Sequence, residues 1–473
     1  MSKAPVLTHT DIESWTKNWA WLFPGAFCSF ETFFVLFLFA GIFKSDARFA
    51  FIEIDLTVLF VGLSSIAAIV VVLRDGVHIS DNRLSMLLAA AMFFGYVALS
   101  YLWTPGILYA TKKTLSVCVL TGWCFVACAL IISSNRDRVR RFMVLMVVLA
   151  IWLAYESFVS YGLSGGGRSL RVLNHDYLGL GQTIGPAALI VLGYLVFYAR
   201  SPMIRLAGFG LFSAFVMVML ILGGRTPLCA MSMGVVTLCY ISFAAKQTQL
   251  SQKIKRNLLA KYVVGALISV ALLFTFLGTD RLPATLSRLG KVYANGLDGF
   301  IAKAETNGHS RPAMFLEAVQ MWQEAPILGS GIGSFPLFYV NRDVRGFPHN
   351  IILETLAEYG ILGTALLGLL FFLSFRSLGP LKTIANDPIR IIISMMFTTA
   401  ICNAMVSGDM SDNRFMFAVL GLMAMRKYGW NSYEENSSHL VMPSDKRHPH
   451  FSKRVQNVGQ GRVQHCADSA TRS

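Results

Sequence analysis

Charge is what this chain has least of. Only 14% of its 473 residues are Asp, Glu, Lys or Arg, against roughly 25% in soluble domains. With 55% hydrophobic residues and a mean hydropathy of +0.56, that scarcity excludes an ordinary soluble enzyme. No polar stretch is long enough to bury a core of its own. The 8 cysteines contain no CxxC pair: all but Cys466 sit inside apolar runs. Neither a disulfide framework nor a cysteine-ligated metal is therefore expected, and no cofactor. Acidic residues are outnumbered by basic ones, 26 to 41. The surplus is spread over loops and the tail, not gathered on one face, so nucleic acid is not an expected partner. Anionic lipid head groups are.

Long apolar runs are what the chain has in abundance. Each is about the ~20 residues needed to cross ~30 Å of hydrocarbon. The pattern predicts an all-α polytopic membrane protein of about twelve transmembrane helices, near 23–43, 53–73, 84–103, 114–133, 142–161, 180–199, 205–223, 226–245, 261–278, 350–375, 389–407 and 413–426. The first run has no small-residue cleavage site behind it and reads as a retained span. The order is then a leader (1–22), nine spans (23–278), one large loop with short helices (279–349), three spans (350–426) and a polar, aperiodic tail (427–473), expected to be disordered.

Loop charges orient the chain. Even-numbered short loops, among them the Arg136–Arg141 and Lys246–Lys261 groups, hold twice as many Lys and Arg as the odd ones. Positive charge favours the cytoplasmic side, so both termini are expected inside and the 279–349 loop outside. Of the 9 histidines, only His175, His309 and His349 then face outward. Histidine is the side chain best suited to accept a proton near neutral pH. The irregularly spaced tail histidines read as solvated, not as a metal tract.

The large loop ends in the most unusual stretch, RPAMFLEAVQMWQEAPILGSGIGSFPLFYVNRDVRGFPHNIILETLAEYG, Arg311 to Gly360. Ser310 caps a short helix, Pro312 fits its first turn, and Phe315, Val319 and Trp322 form a stripe for packing onto the membrane face. GSGIG either turns backbone N–H groups toward a phosphate or makes a tight loop. No strand precedes it, which excludes a dinucleotide fold. Glu354 and Glu358 stand one turn apart at the mouth of the next span, where ionisable groups by default mark a site. Arg225, alone in the outward turn LGGRTPL, either snorkels to head groups or clamps an anion.

These residues resemble the O-antigen ligase and Wzy-type polymerase family. The likeness lies in an Arg, a Trp-bearing helix, a Pro, a G-x-G-x-G-x-F turn, then H-N-x-x-L and E-x-G-x-x-G; GGRTPL is similar to the family's earlier Arg turn. It covers about 190–410 by motif. The resemblance implies a bacterial inner-membrane enzyme, metal-independent, that moves a glycan from undecaprenyl diphosphate to an acceptor hydroxyl on the periplasmic face. It implies that Arg225 and Arg311 hold the diphosphate and that His349 takes or orients the acceptor's proton, beside Glu354. Glu358 is either a second support or a structural partner. Glu354, Glu358, His175 and Asn350 are expected near substrate, although the His175–Asp176 pair departs from the family pattern. The implied partners are the lipid-linked glycan, a glycan or lipid A–core acceptor, membrane lipids and a chain-length regulator.

The family contains polymerases, which join repeat units, and ligases, which transfer finished polysaccharide. SYLWTPGILYATKK is closer to exopolysaccharide-production members and leans toward polymerisation. Twelve spans with basic cytoplasmic loops also describe a transporter or flippase of lipid-linked sugars. Against that stand the lack of an internal repeat and the gathering of polar groups on one face instead of at midplane.

Overall fold

The computed structural model describes residues 29–44, 46–77, 79–164, 172, 177–199, 201–244 and 310–425. The leader, the span expected at 261–278, His175, His309 and the tail lie outside the described residues. The protein is an all-α polytopic membrane protein, and every described element is helical. The helices are α1 (Phe30–Leu38), α2 (Leu56–Asp75), α3 (Asp81–Leu99), α4 (Leu108–Ser134), α5 (Arg136–Ser164), α6 (Tyr177–Phe197), α7 (Pro202–Leu222) and α8 (Arg225–Ala244). They are followed by α9 (Arg311–Glu324), α10 (Phe335–Val340), α11 (Ile351–Leu378), α12 (Pro388–Ala404) and α13 (Arg414–Leu422).

Among the described residues, 8 helices are long and apolar enough to cross a membrane: α2 to α8, and α11. The expected spans at 389–407 and 413–426 become α12 and α13, of only 17 and 9 residues. Both are heavily buried inside the bundle, α12 between α6 and α8 and α13 against α4. Burial by protein lets so short a helix sit at membrane depth, because its unpaired end carbonyls find protein donors. Arg83 supplies one to Ala424 at 3.2 Å and another to Ser133 at 2.9 Å; Arg390 bonds Met425 at 2.8 Å and also Leu378. Both arginines are 1% exposed. They satisfy helix C-termini, where cations are favoured.

Local chemistry sets the helix starts. Asp55, Ser310, Asn350 and Asp387 accept from the first-turn amides of α2, α9, α11 and α12. Pro202 and Pro388 open α7 and α12, where a missing N–H costs nothing. Gly223, left-handed at φ +71, ends α7. The stretch Leu115–Thr121 of α4 is π-helical, a form that often occurs at functional sites. In α9 the packed stripe is Met314, Ala318 and Met321, against Phe335 of α10 and Ala357 of α11. Phe315, Val319 and Trp322 are half-buried. The face is displaced by one position because it packs on the mouth of α11.

Candidate functional site

The polar residues meet at one end of the bundle. Arg225 opens α8 and Arg311 opens α9. The Gly223–Gly224 turn before Arg225 lies against the start of α6: a Cβ on Gly224 would meet Tyr177 at 3.4 Å, and one on Gly181 would meet Pro227 at 2.7 Å. Arg311 is close enough to Arg225 for the two charges to repel. Burial lowers its pKa, Tyr177 opposes that, and Arg225 adds a smaller lowering. Two guanidinium groups within range of each other's charge can act together on an anion.

His349 stands at the mouth of α11 in a left-handed conformation, φ +59. Its ring meets Phe347 edge-on, with centroids 4.5 Å apart. Its Nδ1 is buried without a hydrogen-bond partner. Burial, then the charge of Arg311, lowers its pKa from 6.5 to about 4; Asp409 works the other way and Arg345 adds to the lowering. The imidazole is therefore neutral at neutral pH and sits in the field of Arg311.

The segment leading to His349 is tied down twice. Asp343 accepts the amides of Ile107, Leu108 and Tyr109 at 2.9, 2.7 and 2.9 Å, and these bonds lower its pKa. Nη2 of Arg345 donates to both carboxylate oxygens of Asp412 at 2.7 Å, and its guanidinium lies over Phe347. Burial and neighbouring Asp409 raise the Asp412 pKa to about 6, against the pull of Arg345. Asp409 accepts from Tyr109 Oη at 3.0 Å and Ser411 Oγ at 2.7 Å.

Asn350 and the two glutamates face protein. Asn350 accepts from Ile352 N and Leu353 N, both at 3.0 Å, and donates to Met405 O at 3.0 Å. It caps α11 and ties it to the end of α12. Glu354 and Glu358 are fully buried, and both bond Lys113 of α4, at 2.6 and 2.7 Å. Glu354 also accepts Met410 N at 3.0 Å. The carboxylate expected beside His349 is thus turned to Lys113, and the one that His349 senses is Asp409.

The GSGIG segment is a tight loop. Gly329, Gly331 and Gly333 all have positive φ, which glycine adopts at no steric cost. The N–H groups of Ser330 and Gly331 bond the carbonyls of Ala357 and Glu358 at 3.0 and 2.9 Å, so they are not offered to a phosphate. In return Ile361 and Leu362 donate to Pro326 and Ile327 at 2.9 and 3.2 Å. Helix α11 breaks between these pairs, at Gly360 with φ +63. The loop takes up the backbone groups that the break releases. It fits closely enough that a Cβ on Gly329 would lie 2.4 Å from Glu358 C.

Lys113, Asp343, Arg345, Asp409 and Asp412 were not among the expected site residues. For Lys113 a signal exists in the sequence: a cation at the start of an apolar run needs a partner, and Glu354 and Glu358 are a matched pair one turn apart. Nothing local marks Asp343 or Asp409, whose partners lie 234 and 300 residues away.

Residues 180–368 match the family model described as O-antigen ligase. That stretch begins in α6 and takes in Arg225, Arg311, His349, Glu354, Glu358 and the break at Gly360. No curated protein matches the chain.

Proposed function

Since residues 180–368 of this chain belong to the O-antigen ligase family, whose work is glycosyl transfer in polysaccharide assembly, we propose that it transfers a glycan from undecaprenyl diphosphate to an acceptor hydroxyl. The reaction takes place on the periplasmic face of the inner membrane, with both termini cytoplasmic. The acceptor oxygen bonds to the anomeric carbon of the donor sugar, and the bond from that carbon to the phosphate oxygen breaks. Undecaprenyl diphosphate leaves with the electron pair, and the hydroxyl proton passes to His349.

One observation carries this reading: Arg225 and Arg311 lie within range of each other's charge, and His349 lies in the field of Arg311. The arginines receive the diphosphate and stabilise the charge it gains on leaving. His349 is neutral, as a base must be, but its low pKa makes it weak on its own. An anionic diphosphate beside Arg311 offsets the cationic field and strengthens the base at the moment of use. Glu354 and Glu358 act through Lys113, holding α11 against α4, and Asn350 sets the start of α11.

We assign the acceptor to a second lipid-linked repeat unit, which makes the enzyme a polymerase of exopolysaccharide or O-antigen. The segment that runs into the first turns of α4, SYLWTPGILYATKK, supports this lean. The description of the matched family favours the second reading, transfer of finished polysaccharide to lipid A–core. The same three residues serve either reaction, because the donor is the same.

Purified variants test the chemistry. Arg225→Ala, Arg311→Ala and His349→Ala should each lower transfer from a lipid-linked donor by roughly 100- to 1000-fold while inserting normally. Arg311→Lys should fail too, because an ammonium lacks the planar fork. A near-normal rate for His349→Ala would remove it as the base and direct attention to His175.

A further inference from the structure

Among the described residues, Asp343 is the one carboxylate of the outer segment whose bonds all go to backbone. It accepts three consecutive amides at the start of α4, the groups that a helix leaves without an internal partner. The segment after it has little freedom. Val344 N turns back to Arg342 O at 3.0 Å, a Cβ on Gly346 would lie 2.9 Å from Pro336, and Pro348 is buried. Six residues beyond Asp343, His349 takes a backbone conformation that a non-glycine residue adopts only when its surroundings impose it. A second route leads to the same ring. Asp343 fixes Tyr109 by its amide, and the Tyr109 hydroxyl donates to Asp409, whose charge reaches His349. Arg225 and Arg311 hang from other elements, the first turns of α8 and α9.

We infer that Asp343 is a positioning residue for His349: its grip on the first turn of α4 sets where the imidazole stands relative to the two arginines. This rests on the glycosyl-transfer reading above, and the experiment separates the two. The full chain is purified in four forms: wild type, Asp343→Ala, His349→Gln, and the double variant that combines the two substitutions. Transfer rates and the Kd for undecaprenyl diphosphate are measured for all four. Asp343→Ala should lower kcat by roughly 100-fold, the loss that a misplacement of about 1 Å can cause. The Kd should stay within about twofold, since Arg225 and Arg311 keep their places. In the His349→Gln background the same substitution should cost nothing further, because there is no imidazole left to misplace.

An equal fold-loss in both backgrounds, a Kd that worsens in step with kcat, or full activity of Asp343→Ala would each overturn the assignment. A wild-type rate for His349→Gln would instead sink the glycosyl-transfer role of His349 itself. If Asp343→Ala is not monodisperse, Asp343→Asn takes its place under the same criteria. Its amide oxygen still accepts N–H groups but carries no charge, so a loss of about 10-fold that disappears without His349 is expected.

Discussion

His349 owes its character to its surroundings. A non-glycine residue in the left-handed region costs on the order of 1–2 kcal/mol, and here φ is +59. Burial and the charge of Arg311 then favour the neutral ring, and the pKa falls from 6.5 to about 4. The sign of the linkage follows. Above pH 6.5 the ring is neutral whether the chain is folded or not, and this contribution to stability is complete. Between 6.5 and about 4 the unfolded chain takes up the proton first, so stability is lost as pH falls through that window. NMR titration of histidine-labelled protein, assigned with His349→Gln, should place the His349 midpoint near 4. Arg311→Gln should raise it, but not to 6.5, because burial is the larger cause. A wild-type midpoint at the ordinary value would mean that the ring is open to water and not under Arg311. Local setting singled the three residues out in the sequence: Arg225 alone in a turn between two apolar runs, Arg311 before a short helix of the large loop, and His349 at the mouth of a span; their expected roles came from the family resemblance. For Lys113 the sequence shows a cation at the start of an apolar run in need of a partner, but its two partners lie 241 and 245 residues further on and only the fold identifies them.

At the scale of elements, α4 and α11 form the frame. Lys113 with Glu354 and Glu358 is an ion cluster of 0% exposure. Removing one partner from such a cluster typically costs about 3–5 kcal/mol, whereas replacing the whole set with neutral groups can cost little. Lys113→Met should therefore lower the thermal stability of the purified protein sharply, and adding Glu354→Gln and Glu358→Gln should recover much of the loss. Unchanged melting of Lys113→Met would show that water reaches the cluster. The frame was only partly legible. Residues 350–375 read as one continuous span, because apart from Glu354 and Glu358 the sequence on either side of Gly360 keeps an apolar helical pattern. The break is possible only because Pro326–Gly331, some thirty residues earlier, meets the freed backbone groups. Hydrophobic periodicity carries no information about such a distant complement. The glycine spacing did signal a tight turn, but it did not show what the turn served.

At the scale of the whole molecule, contacts tie particular helix ends together. The starts of α4, α11 and α13 and the end of α12 are joined by Asp343, Asn350, and the Tyr109–Asp409 and Arg345–Asp412 pairs. In a twelve-span chain with a cytoplasmic N-terminus, all of these ends fall on the outer side. Reporter fusions after about residue 300 should thus be active only outside, and fusions near 250 or 450 only inside. A cytoplasmic signal at 300 would remove the outward site. The expected span count was less secure than the expected class, because burial in protein allows α12 and α13 to be short, which hydropathy alone does not register. Polymerase and ligase share the donor, so Arg225, Arg311 and His349 do not distinguish them; the acceptor does. A polymerase must seat two carrier lipids at the outer site, one for the growing chain and one for the incoming unit. Without it, single repeat units should accumulate on undecaprenyl diphosphate and high-molecular-weight polysaccharide should vanish. Without a ligase, polymerisation continues upstream and long chains remain on the carrier while the final acceptor stays bare. Size analysis of the carrier-linked glycan in a deletion strain separates the two: single units support polymerisation, and long lipid-linked chains would leave ligation as the function.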